Sequence, residues 1–329
     1  MTILCERFVN RPDETIRAVL FYSIYNKLTI VSTPMYYTDE TVLFLDGKFV
    51  KAKDATTDLF NQTMHYGYGT FEGIRAYQTV NGVKIFKAYE HFERLKRSCE
   101  LVDIPFNYSA EELTQISYQV LKKNNLKDAY IRPLVYCHPN MTLSAPTGVS
   151  IMIAAWKWGK YLGDQLVKVC VSSYQRPNPK SIKVEAKVCG HYINSILATN
   201  EAKHRGFDEA LMLDMNGFVA EGPGANFFFE KDGVLYTPPL GNILPGITRQ
   251  TVLEICKEMD MPVEEKYFRP EDLFEADSAF FCGTAVEIIG IESIEGQSFN
   301  KPWSQSMGAI VQEAYKCIVL DKSYSYVIV

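Results

Sequence analysis

Four dipeptides constrain this chain more than any other feature: Asp46-Gly47, Asn81-Gly82, Asn216-Gly217 and Asp232-Gly233. Apolar, β-prone residues flank them, as in Val42-Leu43-Phe44-Leu45 before Asp46 and Lys48-Phe49-Val50 after Gly47. Asp or Asn followed by Gly tolerates positive φ at both central positions of a tight turn, so each pair reads as a β-hairpin. The pairs fall in both halves of the 329-residue chain, so antiparallel sheet is expected in both.

Helical segments alternate with the hairpins. Glu90 to Val102 sets Phe92, Leu95, Cys99 and Val102 at helical spacing. Ser109-Ala110-Glu111-Glu112 forms a capping box for the helix carrying Leu113, Ile116 and Val120. Tyr192 to Arg205 is a third helix, stopped by Gly206, and Thr248 to Met259 a fourth, with Val252, Ile255 and Met259 on one stripe. The long strands Tyr130–Cys137 and Val149–Trp156 close the first half. The segment 157–163 then breaks both periodicities and holds two glycines. The reading is an α+β fold with an N-terminal extension over 1–40, a small domain over 41–156, a linker over 157–163 and a larger domain over 164–329. Residues 1–34 read either as an extension or as sequence ahead of a true start at Met35; no signal-peptide pattern is clear.

Composition excludes some functions. A net charge of -5 gives no broad attraction to nucleic acid or an anionic membrane, so an anion site has to be built locally. No stretch approaches the roughly 18 apolar residues that span a bilayer. The eight cysteines lack C-x-x-C pairing and the five histidines lack metal-site spacing, so the reading is of reduced thiols in a cytoplasmic protein without metal.

Three segments carry candidate chemistry. Pro245-Gly246-Ile247-Thr248-Arg249 ends an irregular stretch and opens a helix, where free N–H groups, the helix dipole and a hydroxyl suit either a phosphate or an ordinary helix start. Glu221-Gly222-Pro223-Gly224-Ala225-Asn226 fixes a tight turn between strands, its acid either a ligand contact or solvated. Lys187 has small and apolar neighbours that would desolvate an amine, as Schiff-base chemistry requires, although spacing alone equally fits a surface residue. Gly67-x-Gly69 with Gly73 misses the dinucleotide fingerprint by one residue.

Taken in order, seven motifs say more than any one of them: Phe71-Glu72-Gly73-Ile74-Arg75-Ala76-Tyr77, Glu90-His91-x-x-Arg94-Leu95, Tyr130-Ile131-Arg132-Pro133-Leu134, Ala186-Lys187-x-x-Gly190-x-Tyr192, Glu221-Gly222-x-Gly224-x-Asn226, Leu244-Pro245-Gly246-Ile247-Thr248-Arg249 and Gly283-Thr284-Ala285-x-Glu287-Ile288. Over roughly residues 41–320 the chain resembles the fold-type IV enzymes that use pyridoxal 5'-phosphate (PLP), most nearly the branched-chain amino acid aminotransferases. The resemblance implies PLP at a domain interface. Lys187 would carry it as a Schiff base and move the substrate proton, and Glu221 would pair with the ring nitrogen. Tyr192 would meet the ring oxygen, Arg94 would make a fork-shaped contact to the phosphate, and Ile247, Thr248 and Thr284 would complete the phosphate seat.

For substrate, the resemblance implies Tyr130 and the backbone at Thr284-Ala285 for the α-carboxylate and Arg132 for the side-chain carboxylate of glutamate. Phe71, Tyr66, Tyr192 and Trp158 would form the apolar wall. One departure stands out: relatives often carry glutamate where this chain has Ala225, which bears on how Arg75 and Arg132 are arranged. The implied reaction exchanges the amine of L-leucine, L-isoleucine or L-valine with 2-oxoglutarate. Rivals of the same fold are a D-amino acid aminotransferase, an aminodeoxychorismate lyase, an amine transaminase and a silent binder. The resemblance further implies at least a homodimer, in which the loop from His138 to Thr147 reaches the neighbouring subunit's pocket. Cys189, near Lys187, reads as packing rather than as a redox group.

Overall fold

In a computed structural model, the described residues are 36–322 apart from 160, 161 and 164. The expectations for residues 1–34 therefore lie outside the described residues. The described residues from Asp39 onward, to 322, belong to one compact unit.

The first sheet contains β1 (Val42–Leu45), β2 (Lys48–Lys51), β3 (Gly69–Phe71), β4 (Ile74–Thr79), β5 (Gly82–Ile85), β6 (Ala129–Cys137) and β7 (Val149–Trp156). Its order is β2-β1-β7-β6-β4-β5, with β3 also on β6, and every pairing is antiparallel. Helix α1 (Gln62–Tyr66) precedes β3, while α2 (Ala88–Leu101) and α3 (Ala110–Lys123) cover a face of the sheet. Both show the expected helical periodicity: α2 buries Phe92, Leu95 and Cys99, and α3 buries Leu113 and Val120. The Ser109 hydroxyl accepts the Glu112 N–H at 3.1 Å, the cap that the sequence suggests.

The second sheet contains β8 (Val167–Val171), β9 (Glu209–Leu213), β10 (Val219–Glu221), β11 (Asn226–Lys231), β12 (Val234–Thr237), β13 (Val263–Glu265), β14 (Ser278–Gly283), β15 (Glu287–Ile294) and β16 (Gln297–Ser298). Its order is β10-β9-β8-β15-β14-β11-β12-β13, and β10 pairs with β11 as well, which closes the sheet on itself. Helix α4 (Tyr192–His204) lies against β9; α5 (Ile247–Glu258) and α6 (Met307–Val319) pack on the other side, around Phe228, Val252, Phe280 and Tyr315. Helix α6 has no counterpart in the sequence reading, although Ser306 caps it by accepting the Ala309 N–H and Val311, Ala314, Tyr315 and Val319 form its buried stripe.

All four expected hairpins form, by two kinds of turn. At Asp46-Gly47 and Asp232-Gly233 both residues have positive φ. At Asn81-Gly82 and Asn216-Gly217 only the glycine does, so the expectation of positive φ at both positions is corrected there. The Asp214 carboxylate explains the second case: it accepts the Asn216 N–H at 2.8 Å and the Phe218 N–H at 3.0 Å, holding the turn from outside the dipeptide.

Candidate active site

The segment before α4 carries Lys187 across to the first sheet. The Phe71 N–H donates to the Lys187 carbonyl at 3.1 Å, the Gly190 N–H to the Gly67 carbonyl at 2.9 Å, and the Lys187 N–H to the Ser98 hydroxyl at 3.0 Å. This explains the glycines that resembled a dinucleotide loop. Gly67 has φ of 67°, and a Cβ there would stand 2.7 Å from the Gly190 Cα, so two backbones touch. The Lys187 amine donates to the Tyr192 hydroxyl at 2.6 Å and lies 4.9 Å from the centre of the Phe71 ring.

Lys187 borders two adjoining cavities. The narrow one, about 80 Å³, is lined from the first half of the chain by Gly73, Arg94 and Tyr130, and from the second by Lys187, Tyr192, Glu221, Ile247, Thr248 and Thr284. The structure thus brings Lys187 and every residue assigned to the cofactor onto one cavity between the sheets. Helix α5 begins there with Gly246 as an N-cap that has no side-chain cap, so its first N–H groups are available to an anion. Glycine at 246 also admits Asn226, whose Oδ1 would lie 1.9 Å from a Cβ at that position.

Glu221 sits at the end of β10, buried. It accepts the Leu244 N–H at 3.0 Å and the Asn226 amide at 2.9 Å. Arg176, which sequence reasoning missed, places its Nε 2.9 Å from the same carboxylate, an ion pair by distance without the alignment of a hydrogen bond. Burial pushes the Glu221 carboxyl up, and Arg176 and the Leu244 N–H pull against that.

The sequence reading puts the fork of Arg94 on a phosphate. In the structure Arg94 donates Nε and Nη2 to the Glu72 carboxylate, at 2.7 and 2.9 Å, and Nη1 to the Pro245 carbonyl at 3.0 Å. Two of its five N–H groups remain for a ligand. Glu72 is fully buried and also pairs with His91 Nδ1 at 2.7 Å. Burial alone would raise its pKa; Arg94 and His91 override that and hold the carboxyl far below the usual carboxylate range. The Glu72–Arg94 pair thus ties β4's approach to the Pro245 carbonyl, one residue before the N-cap of α5.

The wide cavity, about 690 Å³, is lined near Lys187 by Phe71, Tyr130, Arg132, Trp158, Tyr192 and Ala285. Edge contacts fix this wall, with ring centres 4.6 Å apart for Tyr130–Trp158 and 4.9 Å for Phe71–Tyr192. Arg132 lies 4.8 Å over the Phe71 ring and donates to the Tyr130 hydroxyl at 3.2 Å. Tyr66 stands apart: it is 46% exposed, donates to the Met141 carbonyl and lines neither cavity of this chain. Ala225 lines both cavities; of the two arginines it was expected to affect, Arg132 lines the wide one with it and Arg75 lines neither. Arg75, buried, donates to the carbonyls of Gly159, Thr284 and Ala285 at 2.7, 2.9 and 2.9 Å, fastening the cavity wall. Burial pushes the Cys189 thiol up to about 11, as suits a packed thiol rather than a reactive one.

The family described as amino-transferase class IV matches residues 69–294. The chain belongs to the class IV aminotransferases. Among curated members, the branched-chain-amino-acid aminotransferase of Pseudomonas aeruginosa is 40% identical over 291 residues, which is 87% of this chain and 95% of that protein. A branched-chain aminotransferase from Thermoproteus uzoniensis, solved with norvaline, superposes with a TM-score of 0.83 at 40% identity, over 86% of this chain and 96% of the other. The branched-chain amino acid aminotransferase from Thermobaculum terrenum, solved in its PLP form, gives 0.80 at 30% identity, over 87% and 95%. As a class IV aminotransferase the chain has the α+β, two-domain fold-type IV architecture of these structures.

Proposed function

We propose that this class IV aminotransferase exchanges the amino group of L-leucine, L-isoleucine or L-valine with 2-oxoglutarate, using PLP. The observation that carries the reading is the shared cavity of Lys187, Glu221 and the uncapped start of α5. The residues fit the cofactor: an amine for its aldehyde, a buried carboxylate for its ring nitrogen and free N–H groups for its phosphate. Lys187 and Tyr192 would hold the reactive end, Glu221 the ring nitrogen, and Ile247, Thr248, Thr284 and the two spare N–H groups of Arg94 the phosphate.

When bound, PLP supplies an aldehyde that takes up the amino group and a ring that withdraws electrons from the substrate Cα. Lys187 then serves as the proton carrier at Cα, its amine steered by the Tyr192 hydroxyl. Asn226 and Leu244 orient the Glu221 carboxylate. Tyr130 and the Thr284–Ala285 backbone would receive the α-carboxylate, and Arg132 the distal carboxylate of glutamate. Phe71, Tyr192 and Trp158 offer an aliphatic side chain an apolar surface with no hydrogen bonds to satisfy.

The proposal includes the boundaries 1–40, 41–156, 157–163 and 164–329, a homodimer in which Tyr66 and the 138–147 loop face a neighbouring pocket, and a cytoplasmic location. The deciding experiment mixes the PLP-loaded enzyme separately with L-leucine and D-alanine and follows the visible band of the bound cofactor. Bleaching by L-leucine alone is expected. Bleaching by D-alanine alone would assign the D-amino acid reaction instead.

A further inference from the structure

The wide cavity continues past the groups that the proposed reaction uses. Its volume of about 690 Å³ lies within the ~300–1,000 Å³ of sites that enclose drug-sized ligands, far more than a leucine side chain fills. The far end lies along α4 and the second sheet, where Ser195, Thr199 and Asn200 of α4, Glu209 of β9 and Phe281 of β14 line it. It is polar, unlike the aromatic end beside Lys187.

Two polar groups there face the cavity, one of them with hydrogen-bonding capacity that the described residues leave unused. Ser195 is 4% exposed, and among the described residues its hydroxyl has no partner. Glu209 is equally buried; among the described residues the Thr199 hydroxyl at 3.1 Å and the Ala210 N–H at 3.0 Å donate to its carboxylate, both to Oε1. Buried polar groups are normally satisfied, so an unpartnered Ser195 hydroxyl on the same cavity wall as the buried Glu209 carboxylate points to an occupant. Among the described lining residues Glu209 is the one carboxylate, while Arg132 and Lys187 supply positive charge at the other end. Burial pushes the Glu209 carboxyl up by more than the Ala210 N–H, the Thr199 hydroxyl and Lys203 pull it down, and a cationic partner in the cavity offsets the remainder.

We propose that the Ser195–Glu209 end of this cavity binds a cationic tail, so that the enzyme also accepts unbranched L-amino acids ending in an ammonium group, of the lysine and ornithine type. The inference rests on the aminotransferase reading and extends its substrate class. The ammonium donates to Glu209 Oε2 and Ser195 Oγ, and the methylenes run past Ala225, Phe281 and Val286. Arg132 and Lys187 repel the tail from the near end, which fixes its direction. In the reaction the α-amine passes to 2-oxoglutarate, giving glutamate and a 2-oxo acid that keeps its terminal amine. No redox partner is needed.

The test compares initial rates of the PLP-loaded enzyme on L-lysine and L-norleucine, which differ by the terminal amine, with L-leucine alongside. The wild type is expected to turn over lysine. Glu209→Gln should lower the lysine-to-norleucine ratio of kcat/KM about tenfold or more, the effect of one charge-assisted hydrogen bond, and Ser195→Ala about threefold. Leucine turnover without lysine turnover overturns the site and leaves the aminotransferase reading standing. So does a ratio that neither variant moves. Loss of leucine turnover in the wild type overturns both.

Discussion

The Lys187 amine and the Tyr192 hydroxyl meet at 2.6 Å across one turn at the start of α4, where both line the two cavities. The amine therefore has a fixed direction before any ligand arrives. Tyr192→Phe removes that hydrogen bond and keeps the ring packed on Phe71. We expect kcat/KM for leucine to fall ~10- to 100-fold with little change in thermal stability, in line with one hydrogen bond to a charged group. Steady-state kinetics and a melting curve check both halves.

Glu72→Gln leaves the buried Arg94 guanidinium without its counter-charge. Breaking a buried pair in this way costs about 3–5 kcal/mol, measurable by denaturant unfolding, and the affinity for PLP should fall with it. Because the folded-state pKa of Glu72 is depressed, the stability from this group is present above its ordinary value of 4.5 and is lost as the pH falls below it. The variant should lose that part of the acid sensitivity.

Gly73→Ala tests the close approach of Tyr130. A Cβ at Gly73 would stand 1.9 Å from the Tyr130 hydroxyl, so the ring has to move. We expect KM for leucine to rise and stability to fall by about 1–3 kcal/mol, the usual cost of overpacking. An unchanged KM would remove Tyr130 from substrate binding.

His191 gives a separate pH signature. Burial, and Arg176 beside it, lower its pKa from 6.5 to about 4. As the pH falls from 6.5 to about 4, the unfolded chain takes up a proton on this ring that the fold does not. Folding stability therefore drops across that window and levels off beneath it. Melting temperatures at neutral pH and near the lower end should diverge less in His191→Asn than in the wild type.

Much of the fold was legible because its signals are local. The four Asx-Gly turns, the Ser109 cap and the burial stripes of α2 and α3 involve residues a few positions apart, and backbone sterics decide them whatever surrounds them. Even so, the single-glycine turn at Asn216-Gly217 depends on Asp214, just outside the dipeptide. Helix α6 carried a readable cap at Ser306, a local signal left unread.

The sequence by itself determined which groups are candidates for the chemistry, with Lys187, Glu221 and the helix start at Ile247–Thr248 recognisable by type and order. Only the tertiary structure decided their partners. Arg94 turns its fork to Glu72, 22 positions away, and Arg75 reaches carbonyls 209 and 210 positions away. Glu221 gains Arg176, and Tyr66 faces outward. Hydrogen bonds and ion pairs fall off within a few ångströms in space and are indifferent to separation along the chain, so no local pattern can name the group at the other end.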